Sequence, residues 1–186
     1  MGIIIAFVIL GVIIVGIVSG GVAIYNRLVM LKYNIDKNFA NIDVILKQRV
    51  DEIPNLIAVV KKTQGYEESL LNQLTELRTA FLSSRSTDEK VQLANEVGKL
   101  LNSFFAVSEN YPALKAVESF RTLQRRVSDL EDMLSDRREL YNESVNMYNI
   151  GIHEMPALLF ARPMGYTDKP LLHISEEEKK YDGIRF

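Results

Sequence analysis

The chain has no cysteine, so it cannot be a disulfide-built extracellular module, and its composition fits a reducing compartment. Histidine occurs only as His153 and His173. No Glu-x-x-His pair exists to build a di-metal carboxylate site in a helical bundle, and zinc has no thiolate to use. Walker A, G-x-G-x-x-G and G-x-S-x-G patterns are also missing. Net charge is −2, without the basic excess of a nucleic-acid binder. These absences point to no cofactor, no metal, no nucleic-acid partner and no enzyme.

Charge is missing altogether from Met1 to Asn26, where Ile3–Ile24 reads IIIAFVILGVIIVGIVSGGVAI. At about 1.5 Å per residue this is a helix of roughly 33 Å, enough to cross the ~30 Å hydrocarbon core of a bilayer. A cleaved signal peptide would need a basic start and a shorter apolar run, although Ser19-Gly20-Gly21 resembles a cleavage site. Ala6 stands where N-myristoylation needs Ser or Thr. Arg27, Lys32, Lys37 and Lys47 follow the span and nothing basic precedes it, so the positive-inside rule places the remainder in the cytoplasm and the N-terminus outside. The expectation is a single-pass protein of the cell membrane. Gly16 and Gly20 form a G-x-x-x-G that lets a second helix approach closely, although glycine is common in membrane helices anyway.

Beyond the span the apolar spacing is helical, and no useful stretch alternates as a strand would. Ile35, Phe39, Ile42, Leu46, Ile53, Leu56 and Val60 repeat at three- and four-residue steps, with a polar lapse at Arg49. Pro54 should bend this helix or free a carbonyl near Val50, and Gly65 offers a break. Leu70, Leu71, Leu74, Leu77 and Phe81 make a second series, and Ser86-x-x-Glu89 has capping-box spacing. A third runs through Val91, Ala94, Val97, Leu101 and Phe104, and Pro112 suits the first turn of a fourth. That fourth continues through Val117, Phe120, Leu123, Val127, Leu130, Leu134, Tyr141, Val145 and Tyr148 to Gly151 or Pro156.

Helices over 34–64, 67–83, 88–108 and 113–153 would be roughly 45, 25, 30 and 60 Å long. Breaking at Gly65 pairs the two long helices and lets the short hairpin cover them. The expected fold is all-α: a transmembrane helix followed by an up-and-down four-helix bundle with long first and last helices. The expected divisions are an anchor at 1–26, a bundle at 27–156 and a C-terminal tail at 157–186.

Tyr-Asn recurs at Tyr25-Asn26, Tyr33-Asn34, Tyr141-Asn142 and Tyr148-Asn149. The bundle would gather these at the bilayer surface, where tyrosine fits, either as core and register packing or as a polar recognition junction. Arg49 would pair with an acidic residue such as Glu131. Leu158, Leu159, Phe160 and Arg162 form an apolar patch ending in a cation. It could contact the membrane or a neighbouring subunit, or cover the bundle's own core.

Ile42-Asp43-Val44-x-Leu46-Lys47-x-Arg49, Ile53-Pro54-Asn55-Leu56 and Tyr111-Pro112-x-Leu114-Lys115-Ala116 occur in that order. Phe120, Leu123-Gln124, the two later Tyr-Asn pairs and Pro156 follow. With these motifs, over roughly 20–160, the chain resembles the LemA family. The resemblance implies membrane-anchored four-helix bundles with a short external N-terminus, and brings no established activity or catalytic residues. One member's part in bacterial magnetosome formation hints at membrane organisation. Phe39-Ala40 stands where the family has a Trp-containing segment, and the chain after Phe160 departs from the expected pattern. Two functional expectations follow: a self-associating membrane scaffold, or an adaptor for another membrane protein in signalling or proteolysis.

Overall fold

A computed structural model describes residues 1–61 and 68–172, apart from the side chains at 87 and 88. Gly65, His173 and the Glu176–Lys180 charge run lie outside the described residues. The described chain is helical, without strands: α1 (Gly2–Asp51), α2 (Ile53–Val60), α3 (Glu68–Ser83), α4 (Thr87–Ser108), α5 (Pro112–Lys115), α6 (Glu118–His153) and α7 (Leu158–Ala161). It divides into two compact units: residues 1–40 with 138–186, and residues 41–137.

From Gly2 to Ala23 α1 contributes nothing to the buried core, and this apolar stretch is the one candidate membrane span among the described residues. Packing begins at Ile24 and continues through Leu28, Leu31 and Ile35, the spacing of one helix face. In the first unit this face meets α6 running antiparallel. Arg27 pairs with Glu154 at 2.9 Å, the Phe39 and Tyr141 rings lie edge to face at 5.8 Å, and Asn38 donates to the Ser144 hydroxyl and the Leu140 carbonyl. A Cβ on Gly151 would lie 2.5 Å from Leu31 Cδ1, so α6 comes close to α1 here because this position has no side chain.

The second unit buries Ile42, Leu46, Val50, Ile53, Leu56 and Val60 along α1 and α2. Pro54 has no N–H for the carbonyl of Val50, and the helix steps at Glu52, whose N–H reaches back only to Arg49 O. The ladder resumes at once, Leu56 N–H bonding Glu52 O at 3.0 Å. α3 packs on both α2 and α4. Ser86 caps α4 through the Glu89 N–H, but the Glu89 carboxylate takes the Ser84 hydroxyl at 2.6 Å instead of closing the box. Phe104, Phe105 and Phe120 form an aromatic group with centroids 5.7–6.2 Å apart.

The expected fourth helix is interrupted. Pro112 opens α5 as its sequence position suggested, but α6 starts only at Glu118. Leu114 and Phe120 are both fully buried. Six residues apart on one straight helix, they would point about 120° from each other. The turn at Ala116–Val117, closed by Val117 N–H to Leu114 O and Phe120 N–H to Val117 O, lets both face inward.

Arg49 lies in the buried stripe, and its guanidinium pairs with Glu131 at 2.5 Å. Gly98 on α4 makes room for it, since a Cβ there would meet Arg49 Nη2 at 2.3 Å. Three residues on, buried Glu52 binds Arg126 at 2.7 Å and accepts from Asn55 at 2.8 Å. Removing the outer partner, which leaves the buried charge uncompensated, costs more than replacing the buried charge itself with an apolar side chain. Glu131→Ala should therefore lower stability by about 2–3 kcal/mol, and Arg49→Met, which keeps the side-chain volume, by less than about 1.5 kcal/mol. Chemical denaturation followed by circular dichroism reads the difference, and the opposite ranking would contradict it.

Candidate functional site

The most elaborated polar arrangement in the described chain lies in the first unit, where the segment after α7 returns along α6. Ala157 and Ala161 are buried against Leu28, Leu31, Ile35, Val145, Tyr148 and Ile152, so the start of the tail completes this core. Gly165 has φ +72°, a conformation that side chains oppose, and the chain turns there. Residues 167–172 then run antiparallel to α6.

This segment is held mainly by its backbone. The Asn149 side-chain amide donates to Lys169 O at 2.9 Å and accepts from Lys169 N–H at 2.8 Å. Asn142 does the same to Leu172, at 2.9 and 2.8 Å. Tyr148 Oη donates to Thr167 O at 3.2 Å, and His153 Nε2 lies 3.0 Å from an Asp168 oxygen. Side chains from 167 to 171 are exposed. Five backbone bonds, each worth a net ~1 kcal/mol, are matched by about 1 kcal/mol per residue for ordering the segment. The tail is held close to balance.

The two later Tyr-Asn pairs therefore serve one site, with tyrosine turned inward and asparagine turned to the tail. Sequence reading assigned those asparagines to helix register or a recognition junction; their partners are backbone groups twenty and thirty residues away, which carry no sequence signal. Tyr33 and Asn34 are elsewhere: Tyr33 is 70% exposed, and Tyr25-Asn26 is exposed too. Gly16 and Gly20 have nothing near the place of a side chain, and the intervening Ser19 hydroxyl bonds back to Gly16 O at 3.0 Å. Leu158 is half-buried, while Leu159, Phe160 and Arg162 are exposed. The Phe160 ring lies over Gly21, 3.7 Å from where its Cβ would be, so α7 touches the end of the apolar span.

Among the described residues, no cluster of His, Asp and Glu has the makings of a metal site. In the second unit, Gln48, Asp51, Glu52, Arg126 and Asp129 line an open groove whose Glu52 and Arg126 charges already engage each other.

Fold and site together define an all-helical, membrane-associated protein with a tail clamped to its last long helix. The chain belongs to the LemA family, whose model matches residues 38–186. That match runs through the tail, so the segment after Phe160 lies within the matched region. Similar proteins include magnetosome proteins MamQ 1 and MamQ 2 of Paramagnetospirillum magneticum, each 23% identical over 158 residues, covering 71% of this chain and 58% of theirs. MamQ of Magnetospirillum gryphiswaldense is 20% identical over 175 residues, 80% of this chain and 64% of its own. The chain thus spans about three-fifths of the length of these relatives.

Burial pushes the Tyr148 hydroxyl above its ordinary pKa of 10.0, with Tyr166 and Asp168 adding to the shift. A raised folded value means that the neutral form stabilises the fold below pH ~10, and that this contribution is lost as pH rises through the folded value. Tyrosinate absorbance should show a late-titrating component that is missing from Tyr148→Phe. Chymotryptic cleavage after Leu171 should accelerate over the same alkaline range.

Proposed function

We propose that the chain is a non-enzymatic single-pass membrane protein whose helical domain, on the cytoplasmic side, self-assembles as a membrane-organising scaffold. The observation that carries this reading is the bare face around Gly16 and Gly20. Two glycines one turn apart on an uncovered apolar helix leave a groove into which a second helix fits. Exposed Met155, Leu159, Phe160 and Met164 extend the apolar surface from the end of the span, a composition suited to the bilayer interface. The magnetosome assignment of the relatives supports work at a membrane.

An adaptor role is favoured by a separate observation. Met30 and Tyr33, just past the span on α1, are 55% and 70% exposed with no partner in the packed core. A hydrophobic side chain and a tyrosine side by side suit a second membrane protein.

Light scattering on the detergent-solubilised full chain should give a multiple of the 21.2 kDa monomer mass. Gly16→Leu combined with Gly20→Leu should shift it toward the monomer without loss of helicity. A monomeric wild type would rule out the scaffold. Crosslinking in native membranes that yields a stoichiometric heteropartner, lost in Tyr33→Ala, would favour the adaptor.

A further inference from the structure

The two asparagine clamps match an extended peptide in spacing. Asn142 and Asn149 are seven residues apart on α6, a rise of about 10.5 Å. Lys169 and Leu172 are three residues apart, about 10 Å of extended chain. Each clamp uses both the N–H and the C=O of one tail residue, so it reads backbone and requires only that the residue is not proline. Pro170 sits between the clamped residues, where no N–H is used, and biases Lys169 to the extended form.

We propose that α6 carries a clamp for extended peptide backbone and that, in the assembled protein, its occupant is the 167–172 segment of a second copy, exchanged for the chain's own. The segment is self-complementary by construction, because the site that holds it in one chain exists in every other. Exposed side chains and hydrogen bonds near balance with ordering leave it free to depart. Gly165, in the left-handed region, supplies the turn whose change would redirect it. The stretch from Gly165 to Leu172 spans about 25 Å when extended, more than the 8–10 Å between packed helices. Anchored copies also meet at high local concentration, which favours a weak reciprocal link. This inference rests on the self-assembly reading, which supplies the neighbour.

The absence of native cysteine allows a direct test. One tagged full-length chain carries His153→Cys and a differently tagged chain carries Asp168→Cys, two positions that face each other. They are co-expressed and treated in membranes with a short bismaleimide. Exchange predicts a mixed dimer. Adding Asn142→Ala and Asn149→Ala to the His153→Cys chain should lower its yield by roughly a thousandfold, to background, since four hydrogen bonds to the incoming segment are lost. The same pair in the Asp168→Cys chain should raise the yield by freeing its tail. Leu172→Pro in the Asp168→Cys chain, outside the helices, should lower it by removing a clamped N–H. No mixed dimer, or a yield indifferent to these changes, overturns exchange. Light scattering of the cysteine-free chain separates the two failures: an oligomer without exchange removes only this inference, and a monomer removes the assembly reading with it.

Discussion

An apolar stripe on one long helix has to be covered, and most of the structure answers that requirement. It starts at Ile24, where the exposed span ends, and reappears at three- and four-residue steps to Val60. The span can stay bare because lipid covers it; the stripe beyond has to find protein. In the first unit the cover is α6 with the start of the tail, and in the second it includes α3 and α4. The close approach at Gly151 against Leu31 sets how α6 lies on α1 in the first unit. The ion pair at Arg27 and the amide of Asn38 then fall opposite their partners.

Arg49 shows what a charge on that stripe does. A buried guanidinium gains little net stability over an apolar residue, because desolvation consumes most of the attraction. It does restrict the arrangement, since Glu131 must lie on one side and a residue without a side chain, Gly98, on the other. A helix shifted by one residue would leave the charge buried without its partner. Glu52 repeats the device beside the Pro54 step, with its two oxygens held by Arg126 and Asn55.

Much of this could be read from the sequence because it is periodic or local. The stripe, the span, the α4 cap at Ser86 and Pro112 at the start of α5 all follow from spacing within a few residues. Even the Arg49–Glu131 pair was accessible, since a charge in an apolar stripe needs an opposite charge on a facing helix. What escaped was set by tertiary demand. Nothing in Ala116-Val117 announces a turn, which exists because Leu114 and Phe120 must both be buried. The tail site escaped for a different reason: asparagine meets backbone there, and backbone is the same at every position.

That indifference to side chains also determines what the tail can do. A segment fixed by apolar side chains in specific pockets would be committed to one place by its large burial. The 167–172 segment instead offers N–H and C=O groups to two amides and keeps the side chains of 167–171 in solvent. Its start is different, because Ala157 and Ala161 are core residues and the Phe160 ring lies over Gly21. The fixed and the releasable parts therefore meet at Gly165. Because α7 is tied to the end of the span through Phe160 and Gly21, a tail that leaves its clamp stays tethered close to the span.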